Sequence, residues 1–501
     1  MESTSLRSLV LYGLLSTFAD ASPVEKRANI QKRGHFLVPR VPNDNFAGHN
    51  GPRQLIKAYR KYSMPIPQGL QDAMDAMAAQ NPSPEPVKAE GFKSLAAGAT
   101  NQTAAAGQPG TGLVTATPIR NDVEYVSPIK IGGQEVNVDF DSGSSDLWVF
   151  TSMLDATSQT GHQLYDPTKS TNAKMLSGQQ FSIRYGDGSG AQGVVGTDVV
   201  DIGGAVVQEQ AVEMATAVSQ QFVQDTANNG LLGLAFSKLN TVKPTAQKTF
   251  FDNVMPSLAE PVFTADLRKK TVGAYEFGRI DSSKFTGQMA WIPVNTTSGF
   301  WQFSSEKFQV AGGQVQQGTA GAQAIADTGT TLILANPPMV QAYYQQVQGA
   351  KQDQQVGGIT FPCNAQLPDL MMDIGGVYMA RVKGADINFA QVDAQTCFGG
   401  LQATTSKLQI YGDIMFKSQF VAFNGGNMSL GMAEHVVNSQ QAAAPATGAG
   451  AAADSLFLMS RENNMNNNAG STSGSERLTA AKGGLMVVLQ AVLIAMVMGV
   501  F

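Results

Sequence analysis

The sequence predicts an all-β body folded as two related lobes with a cleft between them. Two observations carry this. Short alternating or β-branched runs, Val136-x-Val138-x-Phe140, Phe181-x-Ile183-x-Tyr185 and Val194-Val195, stand between glycine-rich turns. One motif also occurs twice, 186 positions apart: Val138-Asp139-Phe140-Asp141-Ser142-Gly143-Ser144, and Ala324-Ile325-Ala326-Asp327-Thr328-Gly329-Thr330. Each copy sets a carboxylate after a short, mostly apolar run and before a hydroxyl residue, a glycine and a second hydroxyl. The run reads as a buried strand, and Gly143 and Gly329 allow the tight turn after it. One Asp-x-Gly triplet is ordinary turn chemistry; two in matching frames are not.

A second match follows each motif. Gly233, in Asn229-Gly230-Leu231-Leu232-Gly233, lies 92 residues after Asp141, and Gly412, in Gln409-Ile410-Tyr411-Gly412, lies 85 after Asp327. The chain therefore reads as two divergent copies of one lobe. One carboxylate from each copy points to a shared site on a pseudo-twofold axis. Helical candidates are few; the best is Met339–Gln348, which follows Pro337-Pro338 and sets Tyr343, Tyr344 and Val347 on one face.

These motifs, with Ile183-Arg184-Tyr185-Gly186-Asp187-Gly188-Ser189, Asp225–Phe236 and Phe277–Lys284, resemble the pepsin-type aspartic proteases, above all the secreted fungal enzymes of the penicillopepsin and aspergillopepsin kind. The resemblance spans roughly Thr117 to Ala433 and departs at Ser142, where threonine is usual. It implies a bilobal fold, an endopeptidase active at acid pH, and a water activated between Asp141 and Asp327, which share one proton. It further implies that Ser144 and Thr330 hydrogen-bond the carboxylates, although alone each reads as a turn hydroxyl. Tyr185, Gly186 and Asp187 resemble a flap over the substrate, Tyr185 excluding water and Trp148 steadying it through its indole N–H. Trp148 reads equally as a core aromatic. Asp187 is either a partner for a lysine at P1 or a satisfied turn aspartate. The resemblance pairs Cys363 with Cys397, the two cysteines of the chain; free buried thiols are the alternative.

The ends are not globular. Residues 1–21 carry Arg7, the apolar run Leu9–Phe18 and Ala19-Asp20-Ala21, and read as a secretory signal rather than a short buried helix. Residues 22–110 read as a basic propeptide and linker, with dibasic pairs Lys26-Arg27 and Lys32-Arg33. The stretch Asn50–Tyr62 resembles fungal zymogen propeptides. Ser22–Gly110 holds 11 Lys and Arg against 6 Asp and Glu, net +5; Thr111–Glu434 holds 19 against 28, net −9. A basic segment over an acidic body holds while carboxylates are ionised, so the propeptide is expected to inhibit its own enzyme. A solvated basic helix without that role is the alternative.

The lobes are expected at 111–290 and 291–436. Residues 437–473 form an Ala-, Ser- and Asn-rich stalk. Residues 474–501 end in the apolar run Leu485–Phe501 and fit a glycolipid-anchor signal with attachment at Ser473. A tail-anchored transmembrane helix is the alternative, though the run is at the short limit for spanning. Asn101, Asn295 and Asn427 head N-x-Ser/Thr glycan acceptors.

Other chemistries fit less well. His35, His49, His162 and His435 form no spaced ligand set, and His-Glu-x-x-His is absent, so neither metal nor other cofactor is expected. An acidic body gives nucleic-acid binding no support. A carboxylate-pair glycosidase would not need matching Asp-x-Gly frames. A catalytically silent surface-binding protein on the same scaffold would have lost Asp141, Asp327 or Tyr185. The expected partners are protein or peptide substrates, its own propeptide, and a membrane reached through the lipid anchor, for a chain acting as a monomer.

Overall fold

The computed structural model describes residues 34–39, 41–42, 50–80, 125–184, 189–269 and 273–436. The signal, stalk, anchor and linker expectations, with Asn101 and Ser473, lie outside these residues. Among the described residues no helix is long and apolar enough to cross a membrane.

Each copy of the motif ends one strand of a mixed sheet. In the first lobe, Gln134–Asp141 pairs in parallel with Gly230–Gly233, setting Asp141 opposite Gly233. Leu147–Val149 runs antiparallel to Gly230–Gly233 on its other side, then parallel to Ala205–Val218. In the second lobe, Gln323–Ala326 pairs in parallel with Leu408–Tyr411, Ala326 opposite Tyr411. Ile333–Ala335 runs antiparallel to that strand and parallel to Leu401–Ala403. The order and sense of pairing are the same in both lobes, so the repeat read from the motifs is a repeat of strand topology. Gly233 and Gly412 are glycines for the same reason: a Cβ on either would strike main chain of the loop beside it.

A six-stranded sheet joins the lobes, in the order Phe36–Pro39, Ala274–Phe277, Val262–Asp266, Gln419–Asn424, Ser429–Glu434 and Ala290–Pro293. Its Phe263 and Phe423 stack with ring centroids 4.4 Å apart, and Trp301 meets Phe423 edge-on. That aromatic layer belongs to a core extending into both lobes. A smaller core of Trp148, Phe150, Leu154, Phe181 and Val195 fills the far side of the first lobe.

Helix α1 (Gly51–Lys61) starts where the Asn50 side chain accepts from Arg53 N–H at 3.0 Å and Pro52 presets the first turn. It buries Leu55, Ile56, Ala58 and Tyr59, and the Tyr59 hydroxyl donates to Ala403 O in the second lobe. Helix α2 (Gln68–Gln80) follows, with Leu70 against Gly357. The helix expected at Met339–Gln348 runs instead from Pro337 to Tyr344. It buries Tyr343 and Tyr344 as expected, and Val347 is buried beyond its end.

Candidate active site

The two motif loops meet back to back. Asp141 and Asp327 are 1% and 0% exposed. Gly143 N–H donates to Asp141 Oδ1 at 2.8 Å, and Gly329 N–H to Asp327 Oδ1 at 3.0 Å. The Ser144 hydroxyl donates to Asp141 Oδ2 at 2.6 Å, and Thr330 hydrogen-bonds Asp327. A Cβ on Gly143 would run into the Asp327 carboxylate, and one on Gly329 into that of Asp141. Only a residue without a side chain lets the carboxylates approach this closely.

Beneath them the loops are tied to each other. Ser142 N–H donates to Thr328 Oγ1 at 3.0 Å, and Thr328 N–H to Ser142 Oγ at 2.9 Å. The Ser142 hydroxyl donates to Ala326 O at 2.9 Å, and that of Thr328 to Phe140 O at 2.7 Å. All four bonds are buried and each has its counterpart across the pseudo-twofold. Ser142 thus does everything here that a threonine hydroxyl would do. The signal for this exchange in the sequence is a hydroxyl residue second in both motifs, which by itself reads only as turn chemistry.

The site is occupied by the chain itself. Lys61, the last residue of α1, brings Nζ to 2.8 Å from Asp141 Oδ1 and 3.1 Å from both oxygens of Asp327. The Tyr62 hydroxyl donates to Asp327 Oδ2, and its ring meets Phe300 edge-on at 5.5 Å. Both residues lie in the propeptide-like stretch Asn50–Tyr62, where nothing in the sequence marks which basic residue reaches the carboxylates.

These contacts divide the carboxylates. Burial by itself raises the Asp141 pKa, but the charge and hydrogen bond of Lys61, with the Ser144 hydroxyl, outweigh it and leave it below the usual value. Asp327 ends above the usual value, because burial and the nearby Asp141 charge outweigh Lys61. Burial works against the Lys61 ammonium, and the two aspartates more than restore it, so its pKa is raised. Burial is the largest reason that the Tyr62 hydroxyl holds its proton well above the ordinary range.

Trp148 is buried in the smaller core, edge-on to Phe222 at 4.9 Å. The hairpin strands Lys174–Arg184 and Gly190–Ile202 pair up to Arg184 opposite Gly190. Tyr185, Gly186 and Asp187 lie outside the described residues. Cys363 and Cys397 form a disulfide. Asn295 and Asn427 are exposed. Among the described residues no group of three His, Cys, Asp or Glu is placed to hold a metal ion.

Two lobes of one topology, each offering a buried aspartate to the same point, define a protein of the aspartic protease class. The profile of eukaryotic aspartyl proteases matches residues 124–435, and the chain belongs to that family. It is similar to endothiapepsin of Cryphonectria parasitica, 40% identical over 436 residues, covering 84% of this chain and 97% of the relative. Aspergillopepsin-1 of Aspergillus oryzae is 48% identical over 327 residues, 65% of this chain and 80% of the relative. Penicillopepsin-1 of Penicillium janthinellum is 48% identical over 325 residues, 64% and 98% respectively. The chain is an aspartic endopeptidase acting on protein or peptide substrates.

Proposed function

We propose that Asp141 and Asp327 are the catalytic pair of an acid endopeptidase made as an inactive precursor. One observation carries this: each carboxylate is fixed by the N–H of its own motif glycine and is approached by the glycine of the other motif. Two carboxyl groups held so closely cannot both ionise cheaply, so they share one proton. With Lys61 withdrawn, a water takes the place of its ammonium. The ionised aspartate removes a proton from that water as it attacks the scissile carbonyl, and the protonated one donates to the carbonyl oxygen. The tetrahedral diol collapses when a proton is delivered to the leaving amine. Tyr185, Gly186 and Asp187 are assigned to the flap, and Ser144 and Thr330 to fixing the carboxylates.

Residues 22–110 act as the inhibitory propeptide, with Lys61 and Tyr62 filling the site that substrate must reach. The lobes divide at 290/291. Secretion through residues 1–21, glycans at Asn295 and Asn427, and a glycolipid at Ser473 in exchange for 474–501 place the mature monomer at the cell surface on the 437–473 stalk. Acid-treated protein is offered a mixed peptide library and the products are sequenced. Cleavage that pepstatin-type diol mimics block is the expected result; cleavage indifferent to them overturns the assignment. Deleting Leu485–Phe501 should send the enzyme into the medium, whereas peptides of that run recovered from surface-held protein would show a membrane-spanning tail.

A further inference from the structure

Behind the Asp141 loop lies a second pair of buried carboxyl groups that hydrolysis does not use. Asp146 is 3% exposed and Glu213, on the strand Ala205–Val218, is 1% exposed. One nitrogen, Asn240 Nδ2, touches an oxygen of each, which sets the two carboxyl groups side by side. The neutral donors around them converge on one oxygen of each. Asp146 Oδ1 accepts from Thr241 N–H at 2.7 Å, from the Thr241 hydroxyl at 3.0 Å and from Asn240 Nδ2 at 3.0 Å. Glu213 Oε1 accepts from Asn240 Nδ2 at 2.9 Å, and among the described residues no donor reaches Glu213 Oε2.

Among the described residues no cation joins them. On the adjoining loop Lys238 turns its ammonium to Thr297 O, and Lys243 is exposed. Asp141 is a further negative charge acting on Asp146. On the neighbouring strand Asp198 is engaged by Tyr165 and Ser170. Two anions in this setting would face burial and mutual repulsion that the neutral donors of Thr241 and Asn240 offset only in part.

We propose that Glu213 is a positioning residue: as a neutral acid it donates to the Asp146 carboxylate, and that shared proton holds the turn carrying Asp141. The main chain supplies the connection. Asp146 O accepts from Gly233 N–H at 2.8 Å, and Gly233 lies opposite Asp141 in the sheet. Leu234 N–H and Ala235 N–H donate to Asp141 O and Ser144 O, both at 2.8 Å. Asn240 Nδ2 also donates to Ser145 O at 3.1 Å. If Glu213 ionises, Asp146 is repelled from the network that fixes both ends of this turn.

The direction in pH follows. Burial first, and Asp146 second, push Glu213 well above its ordinary value of 4.5. The folded chain therefore keeps a proton that the unfolded chain has released. The contribution is fully present below 4.5 and is lost progressively as pH rises towards the folded-state pKa. This sets an upper pH limit on the molecule that is separate from the shared proton of Asp141 and Asp327.

The inference rests on Asp141 being half of the catalytic pair only for its effect on turnover; its effect on stability is independent of that. Glu213→Gln is the test, since the amide donates to Asp146 at every pH. In the full-length chain the two melting temperatures should coincide near pH 4, and the variant should melt higher near pH 7. After acid processing, the variant should lose activity in neutral buffer at least about tenfold more slowly, the factor for one unit of pKa. Melting curves displaced by a constant amount at every pH would show a purely structural contact and overturn the proposal. If Glu213→Gln does not fold, Asp146→Asn removes the same repulsion. Its melting temperature should hold up towards neutral pH, and a profile parallel to wild type overturns the proposal. An altered melting profile without peptidase activity would uphold this inference while sinking the assignment of the catalytic pair.

Discussion

Lys61 holds its ammonium 2.8 Å from Asp141 Oδ1, with the lysine side chain 8% and the aspartate side chain 2% exposed. A charge pair so far from water is strong only while both members are charged, and removing one partner typically costs about 3–5 kcal/mol. Replacing Lys61 with methionine should therefore release the site. The unprocessed variant is expected to cleave a reporter peptide at once at pH 5, where the unprocessed wild type stays silent. Equal silence of the two would remove Lys61 from the proposed inhibitory role.

The pH at which the wild type opens follows from the same contact. The Asp141 pKa is depressed in the precursor, so the pair's contribution is present above the ordinary value of 3.8 and is lost as pH falls through the lowered one. Processing should start slowly below pH 4 and accelerate with further acid. A precursor that matures equally fast at pH 6 and pH 3 would contradict this, and gel analysis after timed incubation decides it.

Asp141→Asn and Asp327→Asn are each expected to abolish hydrolysis, because the amide cannot take its turn as proton donor and acceptor in a shared pair. Measurable turnover by either purified variant would sink the proposed pair. Both variants should still fold. Asparagine keeps the oxygen that accepts from the motif glycine, and the bonds of Ser142 and Thr328 are untouched.

Ser142→Ala should cost about 2–4 kcal/mol, because Thr328 N–H and Ala326 O both lose their partner in a buried setting. The loss reads out as a lower denaturation midpoint at unchanged slope. The fall in kcat should exceed any change in KM, since the loop beneath the reacting carboxylates is loosened while the substrate groove is not. A variant as stable and active as wild type would show that the exchange of bonds is dispensable.

Removing the disulfide by Cys363→Ala with Cys397→Ala frees a loop of 34 residues. On the chain-entropy account this should lower stability by about 4 kcal/mol. The bond links the strand ends at Cys363 and Thr396–Gly399, away from the carboxylates. Specific activity at low temperature is therefore expected to survive while the melting temperature drops.

What the residues disclosed in advance was the local part of the site. Asp141 and Asp327 stood out because strand, carboxylate, hydroxyl and glycine are neighbours in the chain, and the later glycines at 233 and 412 marked the paired strands in both copies. The exchange between Ser142 and Thr328 was hidden because it is a relation between loops 186 positions apart. Lys61 was hidden for another reason. Helical periodicity tells which face of α1 is buried, but not what lies beneath its last turn. Glu213 looked like one residue of a strand until the fold set it beside Asp146. The early end of the helix at Tyr344 is a terminal-turn detail that periodicity does not resolve.

The bonds traded by Ser142 and Thr328 make the molecule an obligate partnership of its own halves. Either half alone would present, on the face where the two motifs meet, backbone groups whose partners belong to the other. Among the described residues, Phe140 O alone of these groups keeps a further donor in its own half, the Tyr275 hydroxyl at 3.3 Å. Once two such copies had been joined in one chain, neither motif could drift in shape without the other. The spacing between the carboxylates is held by main chain on both sides, while the rest of each lobe remains free to diverge, as the dissimilar sequences beyond the two motifs show.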